Sequence, residues 1–134
     1  MGLPTPDELR VSPLLAMLDD RQLHVVGAFL TPETYQSGRS IVREGDVGYV
    51  LFIIKSGEAE VTREAEVLRR LEPGDFFGEI AIVSEDGKRT ATVTARTDVD
   101  VWSMFGTSFR KLQVEYPDVA AALEAVVAER LAQG

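Results

Sequence analysis

The spacing of apolar residues changes twice along this chain. Over residues 5–30 the apolar positions include Leu14, Leu15 and Leu18, then Leu23, Val26, Phe29 and Leu30, set three to four apart as on one helix face. Thr31-Pro32 closes this zone, because the residue before a proline avoids helical backbone. From residue 33 to 104 the rhythm shortens. Ala59-Glu60-Val61-Thr62-Arg63 alternates apolar and polar, the period of a half-buried strand, and the apolar run over 49–54 reads as a buried strand. Further strands are predicted over 40–43, 67–71, 90–95 and 99–104, with Gly45, Gly57 and Gly74 at turns that need a positive φ. Turn signals every ~8–12 residues point to a sandwich or barrel rather than alternating β and α units. The helical rhythm then returns. Thr107 or Ser108 caps a short helix through Val114. Pro117 opens a second helix, whose apolar stripe is Val119, Leu123, Val126, Val127 and Leu131.

The expected architecture is therefore mainly β with flanking helices: an antiparallel β-roll or jelly roll of about eight strands, N-terminal helices, and two C-terminal helices. The 134 residues suit one domain. It divides into a helical segment over 1–32, a roll over 33–104 and helices over 106–133.

Charge and residue inventory narrow the function. The net charge of −8 argues against direct nucleic-acid binding and against an anionic membrane surface, since both need a basic face. No apolar stretch approaches the ~20 residues of a membrane helix, and residues 1–10 lack the basic start of a signal peptide. The expected location is the cytoplasm. There is no cysteine and only one histidine, His24, so thiolate metal sites and cysteine nucleophiles are excluded. A metalloenzyme on a similar barrel would need two or three histidines. The reading is a non-enzyme with no metal and no resident cofactor.

One exception to the charge argument matters: a small anion can bind where one cation and several backbone N–H groups gather. Residues 76–93 supply those parts. Gly78-Glu79-Ile80-Ala81 follows a strand and is suited to begin a short helix, whose free N–H groups make an anion site. Gly78 admits a ligand close to the backbone, and Glu79 would accept from hydroxyls. Arg89 brings a planar five-donor guanidinium matched to phosphate oxygens, followed by Thr90, small Ala91 and Thr92. An anion site beside a hydroxyl acceptor is what a ribose phosphate requires.

This stretch resembles the phosphate-binding cassette of the cyclic-nucleotide-binding domain family, F-G-E-(apolar)-A followed by R-x-A-(S/T)-V. The matching residues are Phe77, Gly78, Glu79, Ile80, Ala81, Arg89, Ala91, Thr92 and Val93. The turns at 44–46, 56–58 and 72–75 are similar to those of the family as well. The resemblance implies that Arg89 pairs with the cyclic phosphate of cAMP or cGMP and that Glu79 accepts from the ribose 2′-hydroxyl. It also implies that backbone amides around Gly78, Ile80, Ala81, Thr90 and Ala91 complete the shell, and that Leu68 lines the purine. Arg-Thr-Ala at 89–91 is similar to cyclic-GMP-responsive members, a weak discriminator between the two nucleotides.

No helix-turn-helix, kinase or channel follows the last helix in this chain, so it is read as a stand-alone regulatory domain. The stripe on that helix suits a lid over the base, a homodimer contact or a separate effector protein. The alternative reading is a β-roll interaction or dimerisation domain that no longer binds nucleotide.

Overall fold

Two capping boxes explain why the N-terminal zone is two helices and not one. The structure, a computed structural model, describes residues 4–12, 15–78 and 89–132, except for the side chains of 130–132. Helix α1 (Pro6–Arg10) starts at Thr5, whose side chain accepts from Glu8 N while Glu8 reaches back to Thr5 N. Helix α2 (Asp20–Ala28) starts at Asp19 with the same reciprocal pair to Gln22. Each box satisfies amide donors that a helix start leaves open, and stabilises it by about 1 kcal/mol.

Eight strands follow: β1 (Thr31–Tyr35), β2 (Ser40–Val42), β3 (Val50–Ser56), β4 (Ala59–Arg63), β5 (Glu66–Leu71), β6 (Phe76–Phe77), β7 (Thr92–Ala95) and β8 (Val99–Phe105). They form two four-stranded antiparallel sheets, β1-β8-β3-β6 and β2-β7-β4-β5. Helices α3 (Gly106–Glu115) and α4 (Pro117–Ala132) complete the chain.

The cores explain the two sequence rhythms. One core lies between the sheets, formed by Phe52, Ile54, Phe77, Val99 and Val101 facing Ala59, Val61, Leu71, Val93 and Ala95. The other lies between the first sheet and the helices. Leu51, Ile53, Phe76, Trp102 and Met104 there meet Leu9, Leu23, Val26, Leu112, Val119 and Leu123. The first sheet is covered on both faces, so β3 is apolar at consecutive positions. The second sheet is covered on one face only, so β4 alternates.

Three local expectations need correction. Strand β1 begins at Thr31, so Thr31-Pro32 is sheet edge rather than helix end; proline is tolerated on an edge strand. The N-cap of α3 is Phe105, without a side-chain cap, so neither Thr107 nor Ser108 serves. The return strand gains Glu66 because the β4–β5 hairpin closes on Glu64 and Ala65, at φ 51° and 67°. Such two-residue turns need left-handed backbone at both positions, and here neither is glycine. Ala65→Gly is therefore expected to stabilise the fold by about 0.5–1 kcal/mol, read from the urea midpoint.

One half-buried polar cluster carries a pH signature. Glu33 accepts from Tyr35 Oη at 2.9 Å and from Ser103 Oγ at 3.0 Å. Burial, reinforced by the Glu33 carboxylate, raises the Tyr35 hydroxyl from 10.0 to about 12. A folded pKa above the unfolded one stabilises fully below the unfolded value and is lost as pH rises through the folded one. Stability is thus expected to fall between pH 10 and about 12, and Tyr35→Phe is expected to remove that decline in alkaline thermal melts.

Candidate functional site

The strand ends at one end of the roll converge on Arg89. β3 and β7 start there, β4 and β6 end there, and the turn after β2 closes over it. The backbone of Arg89 is tied to that turn: Gly45 N donates to Arg89 O, and Arg89 N donates to Asp46 O, both at 2.8 Å. Glu44 N donates to Thr92 Oγ1 at 3.0 Å. Arg63 Nε donates to Thr90 O, and Glu64 N to Glu44 Oε1, both at 3.0 Å. The segment entering β7 is thus held from the β2 turn and from the β4–β5 hairpin at once.

Arg89 itself is buried, with 6% of its surface exposed. A solvated strand charge would stand in water; this one has been taken inside. Its Nη2 donates to Val50 O at 3.0 Å, which orients the guanidinium plane. Two glycine backbones wall it in. A Cβ on Gly48 would lie 2.8 Å from both Nε and Nη2, and a Cβ on Gly78 would lie 2.9 Å from Nη1 and 2.4 Å from Val50 O. Gly78 also has φ +79°. Removing a guanidinium from water costs several kcal/mol, and the fold clears side chains from two sides to place it. Such a cation, held in a fixed plane, is suited to bidentate binding of a phosphate.

The other sequence-derived site residues fall as follows. Phe77 is 3% exposed; it stacks on Phe52 with ring centroids 4.9 Å apart. Its ring belongs to the core, and its contribution to the site is to position Gly78. Ala91 is half-buried behind Arg89, and Thr90 is exposed. Leu68 is 47% exposed on the edge strand β5. The register passes from Val61↔Arg69 to Thr62↔Val67, so Leu68 is the unpaired extra residue of a bulge, a device that re-aims a side chain. Glu79, Ile80 and Ala81 lie outside the described residues.

Sequence reasoning missed Gly48, the Val50 carbonyl and Arg69. No motif flags a lone glycine before an apolar run, and its partner Arg89 is far along the chain. Arg69 pairs with inward-facing Val61 and is two residues from inward-facing Leu71. It therefore shares the sheet face of Val61 and Leu71, with its side chain exposed; alternation counted along the strand would have found it. Among the described residues no group of side chains could hold a metal ion, and no helix is long and apolar enough to cross a membrane.

Two four-stranded antiparallel sheets with helices packed behind one of them, and a buried arginine in a two-glycine cradle, define a class of β-roll domains. Residues 32–116 match the family described as "Cyclic nucleotide-binding domain", and the chain belongs to that family. It is 35% identical over 106 residues to a cAMP-dependent protein kinase regulatory subunit of Yarrowia lipolytica, covering 78% of this chain and 28% of that protein. It is 34% identical over 119 residues to the human potassium/sodium hyperpolarization-activated cyclic nucleotide-gated channel 1, covering 89% of this chain and 13% of the channel. Among solved structures it is similar to the N-terminal domain of a transcriptional regulator from Streptomyces coelicolor. That match has TM-score 0.81 and 32% identity, over 95% of this chain and 91% of that one. The chain thus spans a minor part of the curated relatives it matches.

Proposed function

We propose that the chain is a regulatory domain that binds cyclic AMP or cyclic GMP and catalyses nothing itself. Arg89 takes the cyclic phosphate, Glu79 the ribose 2′-hydroxyl, and the backbone around Gly78, Ile80, Ala81, Thr90 and Ala91 the remaining oxygens, with Leu68 against the purine. The observation that carries this reading is the buried Arg89 in its Gly48–Gly78 cradle. Residues 1–134 act as one domain in this reading. Calorimetric titration with both nucleotides tests it: saturable binding of one or both is expected. No heat with either would leave the alternative, a β-roll kept for interaction alone.

The kinase relative's name pairs it with cyclic AMP. Arg69 favours a second reading, cyclic GMP. An exposed arginine on the Val61 face of β5, next to Leu68, could donate to guanine O6 and N7, a pairing adenine does not offer. Arg69→Ala is expected to weaken cyclic GMP more than cyclic AMP, and equal loss would remove this reading.

Signalling is proposed to run through the α3–α4 junction. Tyr116 caps α3 at φ −139°, ψ 66°, and Pro117 cannot continue that helix. In this conformation Val119, Leu123 and Val127 are buried in the helical core, with Val126 packed at its margin; Leu131 lies outside the described side chains. The stripe is therefore occupied. For it to cover the base or meet a partner, α4 would have to leave that core. A ligand drives such a change only by its differential affinity for the two arrangements. Added nucleotide is expected to change amide exchange at residues 76–93 and along α4 together. Protection of 76–93 alone would mean a binding site without a coupled helix.

A further inference from the structure

A cleft of about 450 Å³ lies away from Arg89, between α2 and α3. This volume is within the range of small-molecule sites. His24 and Ala28 of α2 line one side, Lys111 and Glu115 of α3 the other, with Phe29 and Tyr116 at its end. We propose that this cleft binds a small organic cation, an alkylated ammonium, at a place distinct from the nucleotide site.

Three observations set the sign of the ligand. First, α2 ends at Ala28 and α3 ends at Glu115, so two helix C-termini meet at the cleft, and neither helix has a basic residue in its last turn. Each such end carries about half a negative elementary charge. Second, the side-chain charges of the cleft cancel. Lys111 Nζ lies 3.8 Å from Glu115 Oε2, an exposed pair that holds its members weakly. Helix α4 begins at Pro117, beside Tyr116, and its N-terminus offsets one of the two C-termini; the second C-terminus leaves the cleft weakly negative. Third, Phe29 and Tyr116 meet edge to face, with centroids 6.2 Å apart and planes at 79°. Two perpendicular rings make the corner of an aromatic cage, whose faces attract a cation. Tyr116, 38% exposed, is reachable from solvent, while Phe29 is half-buried and fixes the corner. An anion would find one lysine, itself paired, against a helix C-terminus and a carboxylate. A neutral apolar ligand would gain the rings but nothing from the field.

Choline is the probe, and dimethylbutanol, its neutral isostere of similar shape, is the control. Amide shifts in the NMR spectrum of the whole chain are followed at 28–31 and 111–116. Choline is expected to shift these amides saturably in the millimolar range, with the isostere at least tenfold weaker. Glu115→Gln, an exposed change that leaves the fold intact, is expected to weaken choline about threefold, and Phe29→Leu about fivefold. Lys111→Met is expected to tighten it, because it removes a competing cation. Equal binding of the isostere, weaker binding in Lys111→Met, or no saturation at tens of millimolar choline would each overturn the assignment. Choline is expected to leave the amides of Gly78 and residues 89–93 in place, the segment that cyclic nucleotide moves.

Discussion

Replacing Arg89 by alanine is expected to weaken cyclic-nucleotide binding by about a hundredfold or more. Two charge-assisted hydrogen bonds from one guanidinium, at about 1.5–3 kcal/mol each, account for that loss. Arg89→Lys is expected to recover little. A point ammonium cannot donate through two parallel N–H groups, nor keep both the Val50 carbonyl and a phosphate. The measurement is calorimetric titration beside a thermal melt. Binding that falls while the melt holds assigns Arg89 to the ligand. An unchanged dissociation constant would mean that this buried cation serves the fold alone.

The second large effect separates two glycines that look alike in the sequence. Gly57, at φ +89°, has no room: a Cβ would lie 2.2 Å from Asp98 O and 3.0 Å from Val99 Cα. Those neighbours are backbone and cannot step aside. Gly57→Ala is expected to destabilise the fold by about 3 kcal/mol, a fall in melting temperature on the order of 10 °C. The nearest atoms to a Cβ on Gly48, by contrast, are those of the Arg89 guanidinium, the end of a flexible side chain. Gly48→Ala should leave the melt nearly unchanged and weaken nucleotide binding about tenfold, by tilting that plane away from its ligand. If Gly48→Ala unfolds the chain and Gly57→Ala does not, the two roles are reversed and the cradle is not a binding feature.

Much of the architecture was legible because its signals are local. The alternation over 59–63 and the apolar run over 49–54 each lie within a few residues, and each was enough to place a strand. Pro117 opened the last helix where the sequence put it. The N-terminal zone was read as helices, but apolar spacing alone did not place the break between them. Thr5-Pro6-Asp7-Glu8 and Asp19-Asp20-Arg21-Gln22 carried the correction, as two separate helix starts.

The site divides in the same way. By itself the sequence determined the residue types of the cassette and the distance from Glu79 to Arg89, because those chemical groups sit in one short segment. Only the tertiary structure decided that Arg89 is buried, that Gly48 and Gly78 clear its space, and that Leu68 is a bulge residue. It also decided that the Val119–Val127 stripe is spent on the helical core. Each of these depends on which strands or helices lie side by side. Gly48 reaches Arg89 because the turn after β2 closes on the segment entering β7, and Leu68 loses its partner because β4 and β5 change register. Strand pairing joins positions far apart in the chain, and no window of neighbouring residues encodes such a meeting.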